Sequence, residues 1–173
     1  MVAARIRPFE RGDEEAVLAV VAAAFSGAGR DGSEEVDIVR ATWRSTEPGK
    51  RLELVAADGD AVVAHLAAAA GTLDGRPTDV AGVAPVCVAP EHQGRGVGSA
   101  LVRELISRAE ARRWPLLVLL GDPAYYGRFG FEPAGPRGLH YAPVGRDDPH
   151  FQARPLAGDD GSRCGEFGYC WEA

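Results

Sequence analysis

The chain has 173 residues, 46% of them apolar and 25% charged, which predicts one compact globular domain over residues 1–173. Its formal net charge of -6 argues against a nucleic-acid-binding protein, because such proteins need a basic face. The three cysteines lack disulfide-framework or zinc-ligand spacing, and no secretory leader or membrane-length apolar run is visible, so we expect a cytoplasmic chain without metal or membrane partner.

The first quarter of the chain combines one strand pattern with two helical patterns. Residues 5–9 predict a short first strand. Asp13 is a favourable helix N-cap, and apolar residues at helical spacing behind it predict a helix over Glu14–Phe25. After a glycine-rich loop, a serine followed by two acidic residues predicts a second helix over residues 33–43.

Three strands are predicted next. Residues 52–57 and 61–70 are apolar runs joined by Asp58-Gly59-Asp60, and an Asp-Gly pair between such runs is a strong hairpin signal. Residues 80–88 predict a further strand that is broken at Pro85. Because proline cannot donate a ladder hydrogen bond, Pro85 is expected to mark a bulge or an exposed edge.

The second half begins with a long amphipathic helix over residues 98–113. Its predicted buried stripe consists of Leu101, Val102, Leu105, Ile106 and Ala109. The continuous apolar run Leu116–Leu120 predicts a buried strand, and weaker patterns at 151–156 and 166–171 predict two more strands. This order of elements predicts an α/β (α+β) protein with a mixed sheet rather than a purely alternating parallel one.

The chemically informative segment is Gln93-Gly94-Arg95-Gly96-Val97-Gly98, which lies between a strand and a helix. Glycines leave backbone N–H groups unobstructed, and a helix start adds partial positive charge, so this pattern favours a pyrophosphate site. A Walker A loop is excluded because no Gly-Lys-Ser/Thr is present. A dinucleotide fingerprint is nearly met by Gly94, Gly96 and Ser99, but only one strand–helix unit is visible where that fold repeats it.

The segment Val-Cys-Val-Ala-Pro-Glu-His-Gln-Gly-Arg-Gly-Val-Gly-Ser-Ala-Leu resembles motif A of the GCN5-related N-acetyltransferases (GNAT). The core of that motif, Gln/Arg-x-x-Gly-x-Gly/Ala, falls on Gln93, Gly96 and Gly98. Residues 119–131, Leu-Leu-Gly-Asp-Pro-Ala-Tyr-Tyr-Gly-Arg-Phe-Gly-Phe, look like the segment that closes the coenzyme site in one subgroup of predicted acetyltransferases. The resemblance implies a central mixed sheet flanked by helices, with a splay between the fourth and fifth strands.

The resemblance also implies the residues that bind acetyl-CoA as cosubstrate. The pantetheine arm would pair with the backbone of Val86, Cys87 and Val88, and the pyrophosphate would lie on the loop amides. The loop residues so implied are Gln93, Gly94, Arg95, Gly96, Val97, Gly98 and Ser99. The Val88 amide is the candidate donor to the thioester oxygen, and Tyr126 is the candidate proton donor to the departing thiolate.

The implied function is transfer of an acetyl group to a small-molecule or peptide amine by direct attack in a ternary complex. Glu91, His92, Asp122 and Glu166 are candidate bases, but spacing supports none of them. A covalent route through Cys87 is disfavoured, since no base partner is visible for it. Two alternatives stay open, a non-catalytic acyl-CoA-binding domain and a dinucleotide-binding oxidoreductase, and homodimerisation through the last strands is common for the fold.

Overall fold

The computed structural model describes residues 4–172, apart from the side chain of Pro48, and these residues form two compact units. The first unit contains the chain up to Ala67 together with Ala84–Ile106, and the second contains Ala68–Val83 together with the chain from Ser107 onward. Two long strands and one helix continue from one unit into the other. Whether the chain behaves as the single domain expected from its length stays a prediction.

The first unit is built from one antiparallel strand pair and two helices. Strand β1 (Arg5–Pro8) pairs with β4 (Arg51–Asp58), so that Arg5 lies opposite Ala57. Between them the chain forms, in order, helix α1 (Glu14–Phe25), the short strands β2 (Ser26–Gly27) and β3 (Arg30–Asp31), and helix α2 (Ser33–Ser45). The predicted glycine-rich loop therefore contains a two-residue hairpin, and both predicted helices are confirmed.

The core of the first unit is formed by small aliphatic side chains. Val17 and Val21 of α1 are fully buried and pack with Val39 of α2 and Val55 of β4. Valines at these positions recur at the helical spacing that the sequence shows, so each helix turns one apolar face toward the strands.

Asp13 is the N-cap residue of α1, as expected, but its side chain does not act as the cap. Its side chain makes no cap hydrogen bond to α1. Instead the carboxylate accepts two hydrogen bonds of 2.7 Å from the guanidinium of Arg7 and one of 2.8 Å from the amide of Glu10. The bidentate partner on β1 is a stronger donor than a helix amide, and it draws the carboxylate away from the cap position.

The long hairpin β5 (Ala61–Leu73) and β6 (Arg76–Val88) contributes to both units. Asp74 and Gly75 form its turn, with φ angles of 50° and 72°. Two successive positive φ angles are typical of a type I′ turn, whose twist matches that of the flanking strands.

The expected break of the strand at Pro85 is wrong, and so is an exposed edge there, whereas the bulge stays a prediction. Strand β6 runs without interruption from Arg76 to Val88, and Pro85 is buried within it. What changes near the proline is the burial pattern, which is continuous over residues 80–83 and alternates from Ala84 onward. The proline therefore marks a change in which faces of β6 are covered.

The second unit contains the parallel part of the sheet. Strand β7 (Leu116–Leu120) pairs in parallel with β6 at residues 80–82 and antiparallel with β10 (Phe151–Pro155). The remaining elements are α4 (Pro123–Tyr126), β8 (Glu132–Pro133), β9 (Leu139–His140) and β11 (Gly165–Gly168). Strand β8 pairs with β10, and β11 pairs antiparallel with β5 and parallel with β9. The predicted mixed sheet is confirmed.

Helix α3 (Val97–Ala111) carries the predicted apolar stripe, and all five of its members are buried. Of the three cysteines, Cys87 and Cys170 are buried, whereas Cys164 is exposed. No helix formed by the described residues is both long and apolar enough to cross a membrane. Among residues 4–172, no cluster of three or more His, Cys, Asp and Glu side chains is placed to hold a metal ion.

Candidate active site

At the end of β6, every second backbone amide points away from β5. The amide of Ala89 donates to the carbonyl of Val63 in β5, at 2.8 Å. Because the polar groups of successive strand residues point to opposite sides, the Val88 amide points away from β5. The Val88 carbonyl points the same way and accepts a hydrogen bond of 3.0 Å from Nε2 of Gln93. Gln93 thereby ties the start of the glycine-rich loop to the strand.

The glycine-rich loop has the backbone conformation that its sequence predicts. Gly94 and Gly96 have φ angles of 70° and 82°, in the left-handed region that favours glycine. Arg95 between them is exposed. The Gly96 carbonyl accepts the amide of Ala100 at 3.0 Å, which makes Gly96 the last residue before α3. Successive amides in such a turn form a concave nest for an anion.

The first turn of α3 follows this nest directly. Val97, Gly98 and Ser99 are half-buried first-turn residues, and the first amides of a helix have no carbonyl partner within it. The helix also carries partial positive charge at this end. A Cβ atom built on Gly94 or on Gly96 would meet nothing within 4 Å, so the space over the loop is open. This part of the first unit can accommodate a diphosphate.

The side chain of Cys87 lies on the buried face of β6, whereas Val86 and Val88 on either side of it are half-buried. Its thiol packs in the core of the first unit and donates a weak hydrogen bond of 3.6 Å to the carbonyl oxygen of His65. Burial raises the pKa of the Cys87 thiol to about 12. The thiol therefore stays protonated at neutral pH and is a poor nucleophile, since the thiolate is the reactive form.

Sequence reasoning missed a buried polar network on β4 and β5. Oε1 of Glu53 lies 2.8 Å from Nε2 of His65 and accepts a hydrogen bond of 2.7 Å from Nε1 of Trp43. Its Oε2 accepts one of 2.8 Å from Nε of Arg51. Burial alone would raise the pKa of Glu53, but these hydrogen bonds, that of His65 first, hold it below the usual glutamate value. The available signal was a glutamate and a histidine inside two adjacent apolar strands.

Tyr126 belongs to the second unit and lies at the end of the short helix α4. Asp122 caps this helix by accepting the amide of Ala124 at 2.9 Å. The Tyr126 ring packs edge-on against Tyr125 and Phe131, with centroid distances of 4.8 and 5.9 Å. Its orientation is thus fixed by two aromatic neighbours.

The hydroxyl of Tyr126 is half-buried and protonated at neutral pH. Burial raises the pKa of Tyr126 to about 12, and the neighbouring Tyr125 adds to the shift. Within residues 4–172, no protein group forms a hydrogen bond with this hydroxyl. A half-buried phenol of this kind can donate its proton to a bound group.

The four candidate bases occupy dissimilar places. Glu91 is exposed, and His92 is half-buried with Nε2 3.5 Å from a carboxylate oxygen of Asp58. Asp122 is engaged as the cap of α4, and a carboxylate oxygen of Glu166 lies 3.5 Å from Nε2 of His140.

Comparison with known proteins gives one consistent family. The model of the acetyltransferase (GNAT) domain matches residues 5–134. Over 109 residues the chain is 34% identical to the uncharacterized N-acetyltransferase YhbS of Escherichia coli (strain K12), a match that covers 62% of this chain. The match spans 65% of that relative's own length.

Two crystal structures share the fold at higher coverage. The GNAT family N-acetyltransferase YhbS of Escherichia coli, in complex with CoA, superposes with a TM-score of 0.85 at 28% identity and covers 98% of this chain and 91% of its own. A GNAT family acetyltransferase of Brucella melitensis, in complex with acetyl-CoA, gives a TM-score of 0.77 at 28% identity, with coverages of 95% and 94%. Since the family model covers well over half of the sequence, the chain belongs to the GNAT acetyltransferase family.

Proposed function

We propose that the chain transfers an acetyl group from acetyl-CoA to an amine. The observation that carries the proposal is the loop of left-handed glycines, Gly94 and Gly96, that opens directly into the first turn of α3. Loop amides and helix dipole together suit the diphosphate of a coenzyme. The two matching structures from Escherichia coli and Brucella melitensis are complexes with CoA and acetyl-CoA, which supports this ligand class.

In the proposed complex, the amides of residues 94–99 hold the diphosphate, and the backbone of Val86, Cys87 and Val88 holds the pantetheine arm. The Val88 amide, which points away from β5, donates a hydrogen bond to the thioester oxygen. Negative charge grows on that oxygen as the amine attacks, so the donor binds the transition state more tightly than the ground state. One donor of this kind contributes about 3–4 kcal/mol in known enzymes.

The proposed chemical step is direct. The neutral amine nitrogen attacks the thioester carbon, a C–N bond forms, and the C–S bond breaks. The departing sulfur takes the proton of the Tyr126 hydroxyl, whose raised pKa keeps it protonated at neutral pH. The extra proton of the new amide nitrogen passes to solvent, and the Tyr126 phenolate takes a proton back from solvent. A covalent route through Cys87 is disfavoured, because its buried thiol has a pKa raised to about 12.

Replacing Gly96 with glutamate tests the coenzyme site. The new side chain would stand in the nest and bring a negative charge to it, so we expect titration calorimetry to detect no CoA binding. Gly59→Glu is the matched control. Gly59 also has a left-handed φ, of 59°, and open space around its Cβ position, but it lies in the β4–β5 turn. Normal CoA affinity in a folded Gly96→Glu variant would disprove the loop assignment.

The catalytic part is tested with acetyl-CoA and a panel of amines, by following the release of free CoA thiol. We expect acetyl-CoA cleavage that depends on the amine. A folded protein that binds CoA yet acetylates no amine, in a panel spanning metabolites, aminoglycosides and peptide N-termini, would instead indicate a non-catalytic acyl-CoA-binding domain.

A further inference from the structure

The first unit contains a cavity of about 710 Å³ that shares no residue with the proposed coenzyme site. Its apolar wall is an aromatic pair: Phe9, which follows β1, and Trp43, near the end of α2. The two rings stack with a centroid distance of 5.4 Å and an interplanar angle of 27°. Both side chains are only half-buried, so part of each ring faces the cavity. The volume falls in the range of small-molecule sites, about 300–1,000 Å³.

The polar wall of this cavity is strongly basic. Arg11, Arg40, Arg44 and Arg51 line it, and Glu14 is the one acidic residue among them. This local excess of positive charge stands out in a chain whose formal net charge is -6. Guanidinium groups bind carboxylates and phosphates through paired hydrogen bonds, and they also stack on flat rings.

Three of these guanidinium groups make only weak ion pairs, or none, with the described carboxylates. Arg11 lies 3.7 Å from Glu14, and Arg40 lies 3.5 Å from Asp37. Both distances exceed those of direct charge-assisted hydrogen bonds, about 2.7–2.9 Å, so each ion pair is loose and solvated. Arg44 is exposed, and no described carboxylate forms an ion pair with it.

Two other cavity side chains, the Arg51 guanidinium and the Trp43 indole, are fixed by internal hydrogen bonds. Arg51 is 8% exposed and donates hydrogen bonds of 2.8 Å to Glu53 and to the Thr46 carbonyl. Trp43 donates to the same glutamate. The buried network therefore fixes Trp43 and Arg51 at the base of the cavity. The rim arginines, Arg11, Arg40 and Arg44, can change conformation to contact a ligand.

We propose that this cavity binds a small aromatic anion, a flat ring that carries a carboxylate or a similar acidic group. The ring lies against the Phe9 and Trp43 wall, and the acidic group lies among Arg11, Arg40 and Arg44. This inference does not depend on the proposed acetyl transfer.

Binding of 2-naphthoate, measured by titration calorimetry in the presence of excess CoA, tests the proposal. We expect saturable binding with a dissociation constant below about 1 mM. Two further probes separate the contributions of ring and charge. Naphthalene-2-methanol keeps the ring without the charge, cyclohexanecarboxylate keeps the charge without the aromatic ring, and each is expected to bind at least fivefold more weakly.

Arg40→Ala/Arg44→Ala removes two rim charges and is expected to weaken 2-naphthoate binding about tenfold. The control Arg5→Ala/Arg146→Ala removes two exposed arginines that do not line the cavity, and it should bind as the wild type does. Four outcomes would overturn the proposal. They are no binding of 2-naphthoate to the folded wild type, unchanged 2-naphthoate affinity in Arg40→Ala/Arg44→Ala, an equal affinity for naphthalene-2-methanol, and displacement of 2-naphthoate by CoA.

Discussion

Tyr126 is the single side chain to which the proposed mechanism assigns proton transfer. Replacing it with phenylalanine removes the acid but keeps the ring packing against Tyr125 and Phe131, so we expect kcat to fall by an order of magnitude or more, with unchanged CoA affinity. Steady-state kinetics and calorimetry measure the two quantities. Tyr125→Phe, one residue away, should keep nearly full activity.

The pH profile gives the same assignment a second readout. Because the pKa of Tyr126 is raised to about 12, the phenol stays protonated across the neutral and moderately alkaline range. Loss of this acid therefore reduces kcat only as the pH rises toward that value. A wild-type kcat that fell steeply between pH 7 and pH 9, with no such fall in Tyr126→Phe, would show that the tyrosine titrates there and that its pKa is not raised. Equal kcat values of wild type and Tyr126→Phe across the whole pH range would contradict the proton-donor assignment.

Gly121 fixes where the Tyr126 ring can lie. A Cβ atom on Gly121 would clash with Cε2 of Tyr126 and come within 2.8 Å of Cδ2. Since the ring is held on its other sides, we expect Gly121→Ala to displace it and to lower kcat severalfold without changing the KM for acetyl-CoA. Gly127→Ala is the control, because nothing lies within 4 Å of that Cβ position. Equal kcat values in the two variants would remove Gly121 as a positioning residue.

At the scale of elements, the buried carboxylate of Glu53 in β4 is hydrogen-bonded to His65 in the adjacent strand β5. The pKa of Glu53 is held below its usual value in the folded protein, so its contribution to stability is fully present above the unfolded-state value of about 4.3. That contribution is lost as the pH falls through the lower folded value. We expect Glu53→Gln to be destabilised at pH 7 and the difference from wild type to shrink on acidification, as measured by urea unfolding.

The exposed Glu47 provides the control for that experiment. Glu47→Gln removes a carboxylate from the same unit without touching the buried network, so its unfolding free energy should follow that of the wild type at every pH. A pH-independent gap between wild type and Glu53→Gln would contradict the linkage.

Sequence periodicity predicted the elements well because their cause is local. Helix α1 spans the predicted residues, and the Asp58-Gly59-Asp60 turn and the α3 stripe are confirmed. The differences at the Asp13 side chain and at Pro85 arose where a distant partner or the neighbouring strands decided the outcome. The conformation of the glycine-rich loop was predictable because its glycine requirement is local, whereas the roles of its residues in binding a coenzyme stay predictions.

The buried network and the basic cavity were not predictable for the same physical reason. Glu53 meets His65 only through strand pairing, and the cavity joins residues near positions 9, 40 and 51, which no motif relates. Long-range packing of this kind leaves little trace in a single sequence.

At the scale of the whole molecule, continuity of the chain predicts how the protein unfolds. Strands β5 and β6 and helix α3 each pass from one unit into the other, so unfolding of either unit removes part of an element that the other needs. We expect one cooperative transition. In Trp114→Phe/Trp171→Phe, Trp43 alone reports on the first unit, and its fluorescence midpoint should coincide with that of far-UV circular dichroism. Two separated midpoints would indicate independent domains.

The single exposed cysteine has a practical consequence. Cys164 is exposed to solvent, whereas Cys87 and Cys170 are buried. A chromogenic disulfide reagent that measures the CoA thiol released in an assay will therefore also react with about one thiol per protein molecule. The Cys164→Ser variant removes this protein-derived signal. Conversely, the native residue offers a unique attachment point for a maleimide dye or spin label, which leaves Cys87 untouched.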